Sequence, residues 1–480
     1  MNEKLDLRTR LTYCIGSTGR DAAYALVSMY LILYVQYTMK LTTAQFAVIS
    51  ACMVISMVWD AVNDPMMGII IENTNFKWGK YKPWILTGSI LNAAIIICLF
   101  TIRPTGWGFV AFYGCMYLLW GMTYTMNDIS YWGLLPSLSS DAKTRESLVT
   151  LMSIFICVGQ FAVAGIVPVV VAGNAVKAYR TVALIVALAF IAFQALTAFG
   201  VREKERTGSG EKVTLKKMFK IFFRNDQLMT SGIAFFLFNI GQNLLLIFGV
   251  NFFYVEFGYA KGGDQVFMYT VMYGLGTLLS QALFSTFTKL CPKKKLLTIS
   301  TILLTVFYLC FFSYGYVLPR NVVLLDIIGF MIFFFQGVNN LVILVLVNNT
   351  IEYDEFKFNE RHDSIISAVR SFAVKLAGGV NQGLSTLVLI ISGIYAISQK
   401  ISSMEIDADT GIMTKEEVLS KADNYLASVE SWQPLVLRLG MVLIPIATIL
   451  WAYFMIRRKY NLDEARYDEI VQALNSRKSQ

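Results

Sequence analysis

Long apolar runs, repeated from one end of the chain to the other, limit what this sequence can become. They read as about 11–37, 44–71, 83–102, 106–135, 147–172 and 178–200, then about 226–256, 265–288, 295–316, 321–349, 364–397 and 433–456. Each approaches or exceeds the ~20 residues an α-helix needs to cross the hydrocarbon core. A soluble chain would divide into domains with polar surfaces, about 25% of their residues charged. Here 56% of the 480 residues are hydrophobic, only 15% are charged, and the mean hydropathy is +0.56. Apolar side chains must therefore cover the outside of the molecule, against lipid, as well as its core.

The placement of cations predicts the topology. With the N-terminus inside, inside segments hold 28 of the 41 Lys and Arg residues, outside segments hold 9, and Arg20, Arg370, Lys375 and Arg438 fall within spans. That bias predicts twelve spans with both termini cytoplasmic in the cell (inner) membrane. It also accounts for the formal charge of +9, which reports cytosolic loops and anionic headgroups rather than a nucleic-acid partner. The N-terminal MNEKLDLRTR lacks the pattern of a cleaved signal peptide, so the first span is expected to serve as an uncleaved insertion signal. The expected organisation is a six-helix bundle over 1–200, a basic cytosolic linker over 201–225, a second six-helix bundle over 226–456 and a cytosolic tail over 457–480. The outside segment 398–432 reads as a solvated loop, or at most a lid, with a short surface helix in KEEVLSKADNYLASV.

Several function classes drop out. The seven cysteines lie mostly within apolar runs without a CxxC pair, as small packing residues do. His362, the one histidine, sits in a charged loop and cannot build a histidine metal site alone. H-E-x-x-H, G-x-S-x-G and P-loop motifs are missing, so a membrane enzyme is the weaker alternative and no cofactor is expected. A channel would need a repeated filter element, and none appears. The expectation is a transporter, acting as a monomer.

The few ionisable residues inside the spans carry the chemistry, because each costs at least ~2.5 kcal/mol at mid-membrane. Asp60 and Asp64, in VWDAVNDPMMG, are four residues apart and share a helical face. Asn63 adds an amide oxygen, and Pro65 is expected to loosen the helix and free a carbonyl. Clustered oxygens suit a small cation such as Na⁺; two close carboxylates can also share a proton, or neutralise Lys375 or Arg20. Lys375 falls near mid-membrane, with Gln382 on or beside its face, and its expected partner is Asp60 or Asp64. Tyr124, Asp128 and Trp132 form one stripe in TYTMNDISYWGLLP. A carboxylate accepts sugar hydroxyls while rings cover the apolar faces of a pyranose, although aromatics also anchor helices at interfaces. Asp21 lies at a depth similar to Lys375, and an ideal helix turns its neighbour Arg20 elsewhere. Arg370, a turn or two inside the membrane, can snorkel to the cytosolic edge or reach an anionic substrate group.

The run WDAVNDPMMGIIIENTNFKWGKYKPW resembles the signature of the glycoside–pentoside–hexuronide:cation symporters. TYTMNDISYWGLLPSLSSDAKTRESL and IEYDEFKFNERHDSIISAVRSFAVKLAGG extend the resemblance over nearly the whole chain. It implies a major-facilitator fold, two six-helix bundles around a central cavity with alternating access. It implies cation binding at Asp60, Asn63, Asp64 and Thr125, with Na⁺ or H⁺ as coupling ion. It implies sugar contacts at Asp21, Tyr124, Asp128, Trp132 and Lys375, and cytosolic gating by the WGKYKPW and TRESL segments. Ser153 stands where that family has a sugar-binding arginine, so a displaced positive group for an acidic sugar is expected at Arg370. The alternative substrate is another amphipathic solute, such as a lysolipid.

Overall fold

The computed structural model describes residues 6–74, 76–139, 141–203, 215–360 and 362–478. Of the expected linker 201–225, residues 204–214 lie outside the described residues. The described chain is helical throughout, with two isolated bridges, Phe76 to Gly79 and Tyr314 to Leu318, in place of strands.

The first apolar run forms α1 (Leu7–Ala25) and α2 (Leu31–Thr38), joined by a π-helical turn over Leu26–Tyr30. Then come α3 (Thr43–Glu72), α4 (Lys82–Thr101), α5 (Gly106–Leu138), α6 (Ala142–Val171), α7 (Ala175–Gly200) and the short α8 (Leu215–Arg224). The second half holds α9 (Asp226–Phe257), α10 (Tyr259–Leu290), α11 (Lys293–Ser313), α12 (Val322–Asn348), α13 (Thr350–Phe358) and α14 (Asp363–Ile391). It ends with α15 (Ile394–Asp409), α16 (Lys415–Ala427), α17 (Trp432–Lys459) and α18 (Glu464–Lys478). Among the described residues, ten helical segments are long and apolar enough to cross a membrane. The two further runs expected to span are helical as well: the α1–α2 run, and α5 with 33 residues.

Local sequence sets many helix ends. Thr42 with Gln45, and Thr414 with Glu417, form reciprocal capping boxes at α3 and α16. Asp141 caps α6 by accepting the Thr144 N–H at 2.9 Å. Gly393, at φ 72°, ends α14 and redirects the chain into α15. Pro65 does not open α3, which is helical straight through that position.

Contacts divide the chain into two units, residues 1–209 with 250–267 and 389–434, and residues 210–249 with 268–388 and 435–480. In the first, α1 packs on α6 and α7, and α5 packs on α3 and α4. Small residues permit the close approach: a Cβ on Gly159 would lie 2.2 Å from the Thr18 carbonyl oxygen, and one on Gly88 would lie 2.9 Å from the Asn127 nitrogen. Buried amides then cross-link the helices. Asn127 donates to the Ile85 carbonyl and to Gln194 Oε1, and Gln194 donates to the Gly16 carbonyl. In the second unit α11 packs on α12, and Gln336 donates to Tyr308 Oη at 2.7 Å. Arg438 is buried there, donating to the Tyr314 carbonyl with its guanidinium 4.7 Å from the Tyr316 ring centre.

A further expectation needs correction. The segment 398–432 is not simply a solvated loop: one face of α15 is buried within the first unit, Glu405 completely so, whereas α16 is the predicted short surface helix. His362 is in a loop but buried, its Nδ1 2.7 Å from Asp354 Oδ2.

Candidate functional site

One helix, α5, carries two faces of interest in the first unit. Toward α3 it presents Gly121 and, one turn on, Thr125. A Cβ on Gly121 would fall 2.8 Å from Asp60 Oδ1, so the carboxylate rests directly on the glycine. Thr125 Oγ1, buried, donates to Asp64 Oδ1 at 3.0 Å. The four-residue spacing on α3 thus meets a four-residue spacing on α5, with buried Asn63 beside it. Two carboxylates and a hydroxyl offer the hard oxygen donors that a small cation, or a shared proton, requires.

The stripe Tyr124, Asp128 and Trp132 is turned toward α1. Arg20 organises it. Its guanidinium donates from Nε and Nη2 to Asp21 Oδ2, at 3.0 and 2.8 Å, and pairs through Nη1 with Asp128 Oδ1 at 3.0 Å. It also lies 4.7 Å from the Tyr131 ring centre and 5.6 Å from that of Trp132. Arg20 does not point away from its neighbour as an ideal helix suggests: its long side chain folds back, because both carboxylates need a counter-charge inside the bilayer. The Asp21 and Arg20 side chains are 9% and 3% exposed, while Asp128 keeps 35%. Gln160 on α6 donates to the other Asp21 oxygen at 3.2 Å.

Rings wall the same region. Tyr24, on α1, has its ring centre 5.1 Å from Tyr124 and 6.1 Å from Trp120, and Trp120 stacks on Tyr124 at 5.7 Å. Tyr24 and Trp132 remain about two-fifths exposed, at 41% and 40%. Below, Tyr13 and Tyr131 stack at 4.8 Å and each hydroxyl donates to the other's carbonyl, fixing α1 against α5. Exposed rings beside a partly exposed carboxylate can hold a polyhydroxylated ring by stacking and by hydrogen bonding.

Of the residues singled out from sequence, Asp60, Asn63, Asp64 and Thr125 meet across α3 and α5, and Asp21, Tyr124, Asp128 and Trp132 meet across α1 and α5. Ser153 stays apart: it is exposed on α6 and donates to the Val149 carbonyl of its own helix. Lys375, Arg370 and Gln382 lie on α14 in the second unit, the first two half-buried and Gln382 buried. Sequence reasoning missed Arg20 as the hub, and with it Gln160, Gly121, Trp120 and Tyr24. The signal for Arg20 was present, an arginine in mid-span next to an acid.

A family model described as MFS/sugar transport protein matches residues 12–464. The chain belongs to that family. The resemblance first seen in the α3 and α5 motifs thus extends to a match over nearly the full length. Among curated relatives, a lactose permease of Lactobacillus helveticus is 26% identical, over 98% of this chain and 72% of its own length. A glucuronide carrier protein homolog of Escherichia coli is 24% identical over 100% and 97%. A raffinose carrier protein of Pediococcus pentosaceus is 24% identical, over 80% of this chain and 62% of its own length. Among solved structures, a D-xylose–proton symporter aligns with TM-score 0.61 at 14% identity, over 84% of this chain and 95% of that one. A bacterial homolog of the lysosomal transporter Spinster aligns with TM-score 0.62 at 13% identity, over 95% and 96%. At such identities these structures speak for the fold alone, and the fold is that of a major-facilitator transporter, a multi-pass membrane protein.

In this transporter the two segments named by sequence are also held in place, WGKYKPW running from a loop into α4 and TRESL lying in the first turns of α6. Glu203 accepts from the Lys80 and Tyr81 N–H groups, at 2.9 and 3.2 Å, holding WGKYKPW at the start of α4. In TRESL, Arg145 donates to the Ser139 carbonyl and Arg10 donates to Ser147.

Proposed function

We propose that this major-facilitator protein imports a glycoside or related sugar by symport with Na⁺ or H⁺, through alternating access, with both termini cytoplasmic. The observation that carries the reading is the double engagement of α5. Asp60 and Asp64 bear on Gly121 and Thr125 of that helix, while Arg20, Asp21 and Tyr24 bear on Asp128 and Tyr124 of the same helix. An ion that neutralises the α3 carboxylates alters how α5 seats on α3, and hence the ring and carboxylate it offers to a sugar. That gives each ligand a differential interaction with the other's site, which coupling requires. The names of the relatives, carriers of lactose, raffinose and glucuronides, support a sugar as the solute.

Arg20, paired with Asp128, puts a positive charge behind the carboxylate against which a solute would lodge, a charge that Ser153 lacks. Arg370 on α14 is the second candidate for an acidic sugar such as a hexuronide. The test is uptake of labelled neutral and acidic glycosides into vesicles, with and without a Na⁺ or pH gradient. Gradient-driven accumulation of at least one glycoside is expected. Uptake that ignores both gradients overturns the symport claim, and failure of every glycoside overturns the sugar claim.

A further inference from the structure

The carboxylate of Glu405 is fully buried in α15, outside the ten candidate spans, and is gripped from two other segments. Its Oε1 accepts the Gly173 N–H at 2.7 Å and the Tyr259 hydroxyl at 2.7 Å, and its Oε2 accepts the Ala175 N–H at 2.6 Å. Ala175 begins α7, so the acid also faces the positive end of a helix. Around it, further polar links join the same parts of the first unit. Asn251 Oδ1 accepts from Gln36 Nε2 and Tyr37 Oη at 2.7 and 2.8 Å. Gln399 accepts the Leu41 N–H at 2.9 Å and donates to the Gln36 carbonyl at 3.0 Å. Asp409 pairs with Arg103 at 3.5 Å, and Tyr395 donates to the Leu41 carbonyl at 3.0 Å.

Two features make this arrangement unlike an ordinary core. First, it joins the last turns of α9, the first turns of α10 and the α15 segment to α2 and the start of α7, although α9, α10 and α14 run on into the second unit. Second, a set of hydrogen bonds runs through it beside its rings, where Tyr37 packs on Tyr254 and Tyr259 and Phe46 stacks on Tyr395. A tie meant to last is built as well or better from apolar packing, since burying a carboxylate costs desolvation. A joint meant to part in water is better made of polar groups, because each hydrogen bond broken is replaced by one to water and little free energy is lost.

We propose that Glu405 is the latch of an outer gate, holding α15 and the Tyr259 end of α10 against the start of α7 in the closed state and releasing them when the transporter opens outward. The proposal rests on the transport reading and topology given above. It assigns a role in transport to residues 392–431, which lie between the end of α14 and the start of α17.

The latch can be read without any substrate. In a variant lacking the seven native cysteines, Thr38→Cys places a thiol at a buried position at the end of α2, where the threonine hydroxyl bonds only within its helix, to the Tyr34 carbonyl. Right-side-out vesicles are treated outside with a membrane-impermeant maleimide. Glu405→Ala removes acceptors for two backbone donors and a hydroxyl, and labelling is expected to accelerate about tenfold or more. Glu405→Gln and Tyr259→Phe, which each keep part of the grip and the side-chain volume, are expected to accelerate it by a smaller factor of about 2–5. If Glu405→Ala does not yield a monodisperse protein, these two decide. Labelling rates equal to the parent's in the folded variants overturn the latch. Sugar uptake is measured on the same vesicles: a latch result stands whether or not a glycoside is carried, and an uptake failure with accelerated labelling counts against the sugar reading alone.

Discussion

Asp60 rests against Gly121, so closely that a Cβ at the glycine would fall 2.8 Å from Oδ1. No other residue type fits there without moving the carboxylate or the helix. Gly121→Ala is therefore expected to displace Asp60 by a few tenths of an ångström and to weaken the apparent cation affinity about tenfold, while sugar exchange without a gradient is retained. The measurement is uptake against cation concentration. An unchanged half-saturating cation concentration would argue that Asp60 is not a cation ligand.

Removing the acids themselves gives a sharper separation. Asp60→Cys and Asp64→Cys are expected to abolish accumulation against a gradient yet leave sugar exchange. Thr125→Ala takes away one hydrogen bond to Asp64, worth about 1 kcal/mol, so a several-fold loss of cation affinity is expected. Full accumulation in both cysteine variants would discard the assignment.

Arg20 compensates Asp21 and Asp128 together, so its loss leaves buried negative charge. Arg20→Ala is expected to destabilise the protein by about 3–5 kcal/mol and to depress the thermal midpoint in detergent by several degrees. Adding Asp21→Asn to Arg20→Ala is expected to restore part of that stability. Lack of any restoration would show that the two side chains do not act as a pair.

The exposed rings of Tyr24 and Trp132 are expected to contribute sugar affinity rather than stability. Tyr24→Ala and Trp132→Ala should each weaken binding about threefold to tenfold, the range of one aromatic contact, with the thermal midpoint of the sugar-free protein nearly unchanged. Isothermal titration on purified protein checks both.

Burial pushes the Glu405 carboxyl above its ordinary value of 4.5, against the opposing pull of its Ala175, Tyr259 and Gly173 hydrogen bonds and of Lys415. The other ionisable groups that sense it are Tyr179 and Tyr254. A carboxyl whose pKa is raised in the latched state holds its proton more firmly there than when released, so acid favours the latch. That contribution is lost as the outer pH rises from the ordinary glutamate range through the raised value. Thr38→Cys labelling is thus expected to slow as the outside is acidified, and Glu405→Gln is expected to lose that dependence. An equal pH response in Glu405→Gln would assign the effect to another group.

Much of the fold was legible because the bilayer enforces it. Apolar runs of spanning length must be helices, since lipid offers the backbone no hydrogen-bond partners, and the structure is helical throughout its described residues. The α3 acids were legible for the same reason. A charge in a span is costly, and a four-residue spacing puts two charges on one face. Their meeting with Thr125 followed the motif.

Arg20 and Glu405 show where that logic stops. The helical wheel sends Arg20 away from Asp21, yet a flexible four-bond side chain goes where the counter-charges are, and Asp128 on α5 is 108 positions along the chain. Glu405 sits in a stretch polar enough to read as solvated, KISSMEIDADTG, and only its partners at Gly173, Ala175 and Tyr259 make it a core residue. By itself the sequence determined which segments are helices of spanning character and which charges within them must find partners, because those follow from length and from the cost of desolvation. Only the tertiary structure decided who the partners are and which polar loop is buried, because pairing depends on the distances between helices that sequence spacing does not contain.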